Sequence, residues 1–62
     1  MKQDIGEVVR KRREELGLTR EKLAVETGCS MASIIRWETG KGVPRGIYIK
    51  ALERALKTKL QD

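Results

Sequence analysis

Only three residues, Gly28, Cys29 and Ser30, separate two stretches that each carry helical periodicity. A connection this short keeps two helices side by side, so the residues around it must meet fixed steric demands. Ala24 falls where the later helix crosses the earlier one closely, and a larger side chain would push them apart. Gly28 occupies the turn position that needs a positive φ, a conformation glycine adopts at little cost. Cys29 follows as a small apolar plug in the angle between the helices. Ile34 and Trp37 stand three apart on the later helix and point inward, onto the elements before it. With Leu23 beside Ala24, these spacings describe a tight corner spanning about residues 20–39.

The rest of the chain reads as helix punctuated by turn residues. Ile5, Val9 and Leu16, with Val8 beside them, lie on one face of a first helix that Asp4 can cap and Gly17 can end. Thr19 suits the N-cap of a second helix, with Glu21 near its positive end. Leu18 and Leu23 form a hydrophobic staple there, although Lys22 at the third helical position rules out a capping box. This helix runs to about Thr27. Ser30 caps the third helix, which extends over about Met31–Thr39 and ends at Gly40. A segment with Gly42, Pro44 and Gly46 follows, and Ile49, Leu52 and Leu56 mark one face of a fourth helix that reaches Leu60. No strand pattern appears. The expectation is all-α: a single domain over 1–62, a compact bundle of four, or at most five, short helices. A chain this short buries only ~60% of its unfolded surface, so helix packing must be good.

Composition narrows the chemistry. The chain has no histidine and one cysteine, which leaves no nitrogen–sulfur set for a metal. Histidine is also the commonest general base, and the nine carboxylates are scattered among cations. No glycine-rich phosphate loop appears. These absences point to a binding protein rather than an enzyme, with no cofactor and no small-molecule ligand. Fourteen lysines and arginines give a formal charge of +5, which favours DNA, RNA or an anionic membrane surface. No apolar run approaches the ~20 residues of a spanning helix, so a soluble, cytoplasmic protein is expected. Internal glycines and caps describe a compact bundle rather than a membrane-surface peptide. Aromatic residues make up 3% of the chain, too little for single-strand or RNA recognition by base stacking. Trp37 is expected in the core.

Two short helices joined by a three-residue turn form the helix-turn-helix arrangement. Arg13-Glu14-Glu15-Leu16-Gly17-Leu18-Thr19, Leu23-Ala24, the run from Ser33 to Lys41 through Trp37-Glu38-Thr39-Gly40, and Pro44 ahead of Ile49, Leu52 and Leu56 carry a wider likeness. From Ile5 to Leu56 the chain resembles the lambda-repressor-like, Cro/xenobiotic-response-element family of DNA-binding domains. The resemblance implies sequence-specific binding to double-stranded DNA as a transcriptional regulator, usually a repressor, and a homodimer at least on DNA. It also implies an ion pair between Arg13 and Glu38 that ties the first helix to the end of the third. Two departures stand out. Thr27 replaces a larger apolar residue, implying looser packing, and family members commonly continue beyond the position of Asp62 into a fifth helix or a dimerisation domain.

In such a fold the third helix enters the major groove and the second crosses the backbone. With Ile34 and Trp37 inward, the outward face carries Ala32, Ile35, Arg36 and Thr39, flanked by Met31 and Ser33. Arg36 suits a base reader, its fork matching guanine O6 and N7; a phosphate contact or a solvated charge is the alternative. Met31, Ala32 and Ile35 suit thymine methyl groups, or else a protein partner. Arg20 stands where the family often has a phosphate-bonding glutamine, and helix N-termini favour anions. Lys41 and Arg45 can follow the backbone, and Ser33 and Thr39 can add phosphate hydrogen bonds; each is otherwise an ordinary solvated side chain. Arg10, Lys11 and Arg12 read as a solvated face offset by Glu14 and Glu15. Ile47, Tyr48 or the end of the fourth helix would supply a dimer contact. A second reading keeps the fold as a protein-interaction module, such as an antitoxin or adaptor.

Overall fold

Gly28 adopts φ 72°, and the corner it makes organises the rest of the chain. In the computed structural model, which describes residues 4–60, four α-helices follow in order: α1 (Ile5–Glu15), α2 (Arg20–Thr27), α3 (Met31–Glu38) and α4 (Ile47–Leu56). Residues 1–3 and 61–62, the two ends of the expected 1–62 domain, lie outside the described residues. No fifth helix and no strand occur among the described residues.

The caps explain the boundaries. Thr19 Oγ1 accepts the Lys22 N–H at 3.0 Å, and Ser30 Oγ accepts the Ser33 N–H at 3.1 Å, each satisfying a donor the first turn leaves free. Asp4 does stand at the N-cap of α1, but its side chain makes no capping bond. Past the other ends the chain folds back. The Cys29 N–H reaches the Ala24 carbonyl at 3.1 Å and the Lys41 N–H reaches that of Arg36 at 2.9 Å, each around a left-handed glycine, Gly28 or Gly40. The fourth helix stops at Leu56 rather than Leu60 for the same reason. Lys57 turns left-handed, and the Thr58 N–H bonds the Glu53 carbonyl at 3.2 Å. The Leu60 N–H then bonds the Glu53 carboxylate at 2.8 Å, and Leu60 packs on the core from outside the helix.

Val9, Leu23, Ile34, Leu52 and Leu56 are fully buried, with Ala24 and Trp37 nearly so. Burying a leucine or isoleucine side chain contributes about 1.5–3 kcal/mol. Helix α3 packs on α1 and α2, and α4 packs on the same pair. Cys29 and Leu18 are half-buried against this cluster. Leu16, expected inside, is 36% exposed because α1 has already ended; Arg13 takes the inward position instead. Gly6 is buried, and a Cβ there would collide with the Trp37 carbonyl oxygen, so α1 approaches the backbone of α3 directly. Thr27 is no gap, since its hydroxyl donates to the Leu23 carbonyl at 2.8 Å and accepts the Cys29 N–H at 3.4 Å.

Two arginines of α1 reach other helices. Arg13 donates through Nε and Nη2 to Glu38 at 2.7 and 3.1 Å, and through Nη1 to the Leu18 carbonyl at 2.8 Å. The expected pair therefore forms as a two-point contact around a carboxylate with no exposure. The hydrogen bond to Glu38 raises Arg13 above the ordinary arginine range despite the opposing effect of burial. A raised value means this contribution is complete at neutral pH and is lost only in strong alkali. Arg12, expected on a solvated face, donates from Nε to the Leu56 carbonyl at 2.9 Å and satisfies an open end of α4.

Removing one partner of a buried pair leaves an uncompensated charge, so Glu38→Ala should lower unfolding free energy by ~3–5 kcal/mol. Gly6→Ala should cost about 1–3 kcal/mol through overpacking, whereas the exposed Leu16→Ala should stay within about 1 kcal/mol. Denaturant midpoints followed by circular dichroism test all three; an unchanged midpoint for Glu38→Ala would contradict the assignment of this pair.

Candidate nucleic-acid interface

The first turn of α3 is set by Ser30, and its last residue, Glu38, is held from α1. Both ends being fixed, the rotation of the helix about its own axis is fixed as well. Ile34, Trp37 and Glu38 face inward; Met31, Ala32, Ile35, Arg36 and Thr39 are exposed, and Ser33 is half-buried. The structure thus gathers the four residues expected to read bases on one outward strip. Met31 and Ile35 are 42% and 38% exposed, an apolar surface that the fold itself leaves uncovered.

The polar side chains of the strip are each partly engaged. Arg36 Nη2 donates to the Lys41 carbonyl at 3.1 Å, and its guanidinium lies beside Gly42, where a Cβ would sit 3.5 Å from Nε. Reaching outward from α3 requires exchanging that bond. Ser33 Oγ accepts from the Ser30 hydroxyl at 3.0 Å, which leaves its own proton to donate. Thr39 Oγ1 donates to the Ile35 carbonyl at 2.7 Å, so its proton is committed to the helix.

Around the strip lie the expected anchors. Lys41 and Arg45 are exposed on the segment between α3 and α4. Neither has a side-chain partner among the described residues. Arg20 is the first residue of α2, where backbone N–H groups and the helix dipole favour an anion. Its Nε is bonded to Glu38 at 3.0 Å, a contact that nothing in the local sequence announces. The cations of α1 differ in kind: Arg10 lies 3.7 Å from Glu14 and Arg12 lies 3.1 Å from Glu15. On either side of Pro44, which is buried, Val43 is 58% and Ile47 76% exposed. Tyr48, also exposed, sets its ring 5.7 Å from that of Trp37 at a tilt of 48°.

Comparison with known proteins agrees with this geometry. A family model described as helix-turn-helix matches residues 9–62. The chain is 48% identical over 56 residues to the HTH-type transcriptional repressor RghR of Bacillus subtilis (strain 168). That match takes in 89% of this chain and 42% of the relative, so the chain spans less than half of the relative's length. Among solved structures it is similar to the P22 c2 repressor protein in complex with a synthetic operator, with TM-score 0.89 and 32% identity, covering 95% of this chain and 89% of that one. The fold, the exposed strip on α3 and these matches agree: the chain belongs to the helix-turn-helix family, with a lambda-repressor-like domain.

Proposed function

We propose that the chain binds double-stranded DNA sequence-specifically as a transcriptional repressor, with α3 in the major groove and α2 across the phosphate backbone. The division of α3 carries this reading: Ile34, Trp37 and Glu38 hold the fold, and Met31, Ala32, Ile35 and Arg36 form an outward strip that the core does not use. A relative named as a transcriptional repressor and a similar fold solved on an operator support it. The protein acts by binding rather than catalysis, in the cytoplasm where its DNA is.

In this reading Arg36 leaves the Lys41 carbonyl to bond guanine O6 and N7, while Met31, Ala32 and Ile35 meet thymine methyl groups. Arg20, Lys41 and Arg45 contact phosphates, Ser33 donates one further bond, and Thr39 contributes only if its hydroxyl turns from Ile35. One helix in one groove reads few bases, so a homodimer binds two half-sites about one helical turn apart. Ile47 and Val43, exposed apolar residues between the end of α3 and the start of α4, form the contact between protomers.

Selection from a random duplex library should recover a palindrome, and failure at low salt would favour a protein partner for Met31 and Ile35 instead. For the dimer, binding should weaken with a log–log salt slope of about −5 from six phosphate contacts. Arg36→Ala should lose discrimination of about 1–3 kcal/mol at one guanine, whereas Lys41→Ala should weaken all sequences alike. Uniform weakening by Arg36→Ala would reassign it to the backbone. Ile47→Asp should preserve binding to a single half-site and abolish cooperative occupation of two; retained cooperativity would move the dimer contact elsewhere.

A further inference from the structure

Glu38 accepts hydrogen bonds from two arginines: Arg13 through Nε and Nη2 at 2.7 and 3.1 Å, and Arg20 through Nε at 3.0 Å. Arg13 alone balances the carboxylate. The second guanidinium is not needed for that balance, and the two arginines differ in access to solvent: the Arg13 side chain, which also lies 3.9 Å from Glu14, is 11% exposed and that of Arg20 38%. Arg20 is therefore the member of the cluster whose charge can meet an anion from solvent. We infer that Glu38 is a positioning residue for DNA binding, holding Arg20 by its Nε so that its Nη groups face outward as an oriented fork for one phosphate.

The inference rests on the reading of Arg20 as a phosphate contact. Its physical basis is the planarity of the guanidinium. A bond at Nε fixes the plane, and among the described residues the Nη groups have no partner of their own. Two parallel N–H bonds to phosphate oxygens require that geometry. A side chain ordered beforehand also loses less rotamer freedom on binding. Lysine carries the same charge but cannot bond Glu38 and still present a fork. The buried carboxylate thus serves the fold through Arg13 and the interface through Arg20.

The test uses the full chain and a mixed-sequence duplex, because a phosphate contact does not depend on sequence. Arg20→Lys should keep the salt slope and weaken binding about 3- to 10-fold, while Arg20→Gln should reduce the slope by about 0.9 for each bound protomer. In a Glu38→Gln background the lysine penalty should fall below about 2-fold, as coupled residues require. Parent-like binding by Arg20→Lys, with the slope still reduced by Arg20→Gln, would overturn the positioning role and leave the phosphate contact standing. An unchanged slope for Arg20→Gln would overturn the contact and the positioning role together. Should Glu38→Gln fail to fold, the Arg20 Nε–H resonance of the parent chain decides: slow solvent exchange, like that of Arg13, supports positioning, and fast exchange overturns it.

Discussion

The carboxylate of Glu38 is the interaction on which the other arrangements depend. It stands at the last turn of α3, receives two bonds from α1 through Arg13 and a third from the start of α2 through Arg20. A charge without solvent exposure is tolerable only when its hydrogen-bonding capacity is filled, and no buried side-chain polar atom among the described residues lacks a partner. Meeting that requirement fixes the rotation of α3. With Glu38 drawn inward, Trp37 and Ile34 must also turn inward, and Ala32, Ile35 and Arg36 must turn out. The same charge network that joins three helices therefore decides which side chains the surface receives.

Most of this was legible wherever a residue answers a local demand. Thr19 and Ser30 cap because their hydroxyls reach the third N–H of their own helices, and Gly28 makes the turn because a positive φ is required there. The inward pair Ile34 and Trp37 follows from spacing, and Arg13 with Glu38 follows from the family likeness. What escaped is what spans the chain. Arg20 and Glu38 lie 18 residues apart, Arg12 and the Leu56 carbonyl 44, and no periodicity links such positions. Gly6 sits inside a helix with none of the turn signals that mark the other glycines. Lys57 ends α4 in a left-handed conformation that side chains disfavour, so no sequence signal marked the stop. The outward strip was legible as a set, but the bond between Arg36 and Lys41 was not.

Charge is distributed unevenly over the fold, and more informatively than a net +5 suggests. On α1, Arg10 and Arg12 lie beside acids of the same helix, which offsets part of the charge of that helix. Lys41 and Arg45, flanking the exposed strip, have no such neighbours. Exposed cations without local acids create the stronger field, and here they border an apolar surface. Such a surface combines long-range attraction for a polyanion with apolar area at short range.

The close approach at Gly6 bears on how such a protein changes over generations. Because α1 meets the main chain of α3 rather than a side chain, the spacing between those helices does not depend on what α3 displays outward. Met31, Ala32, Ile35 and Arg36 can be exchanged in many combinations while the scaffold beneath keeps its dimensions. A lineage built on this frame can change the surface that α3 displays at four positions, without first repairing its stability.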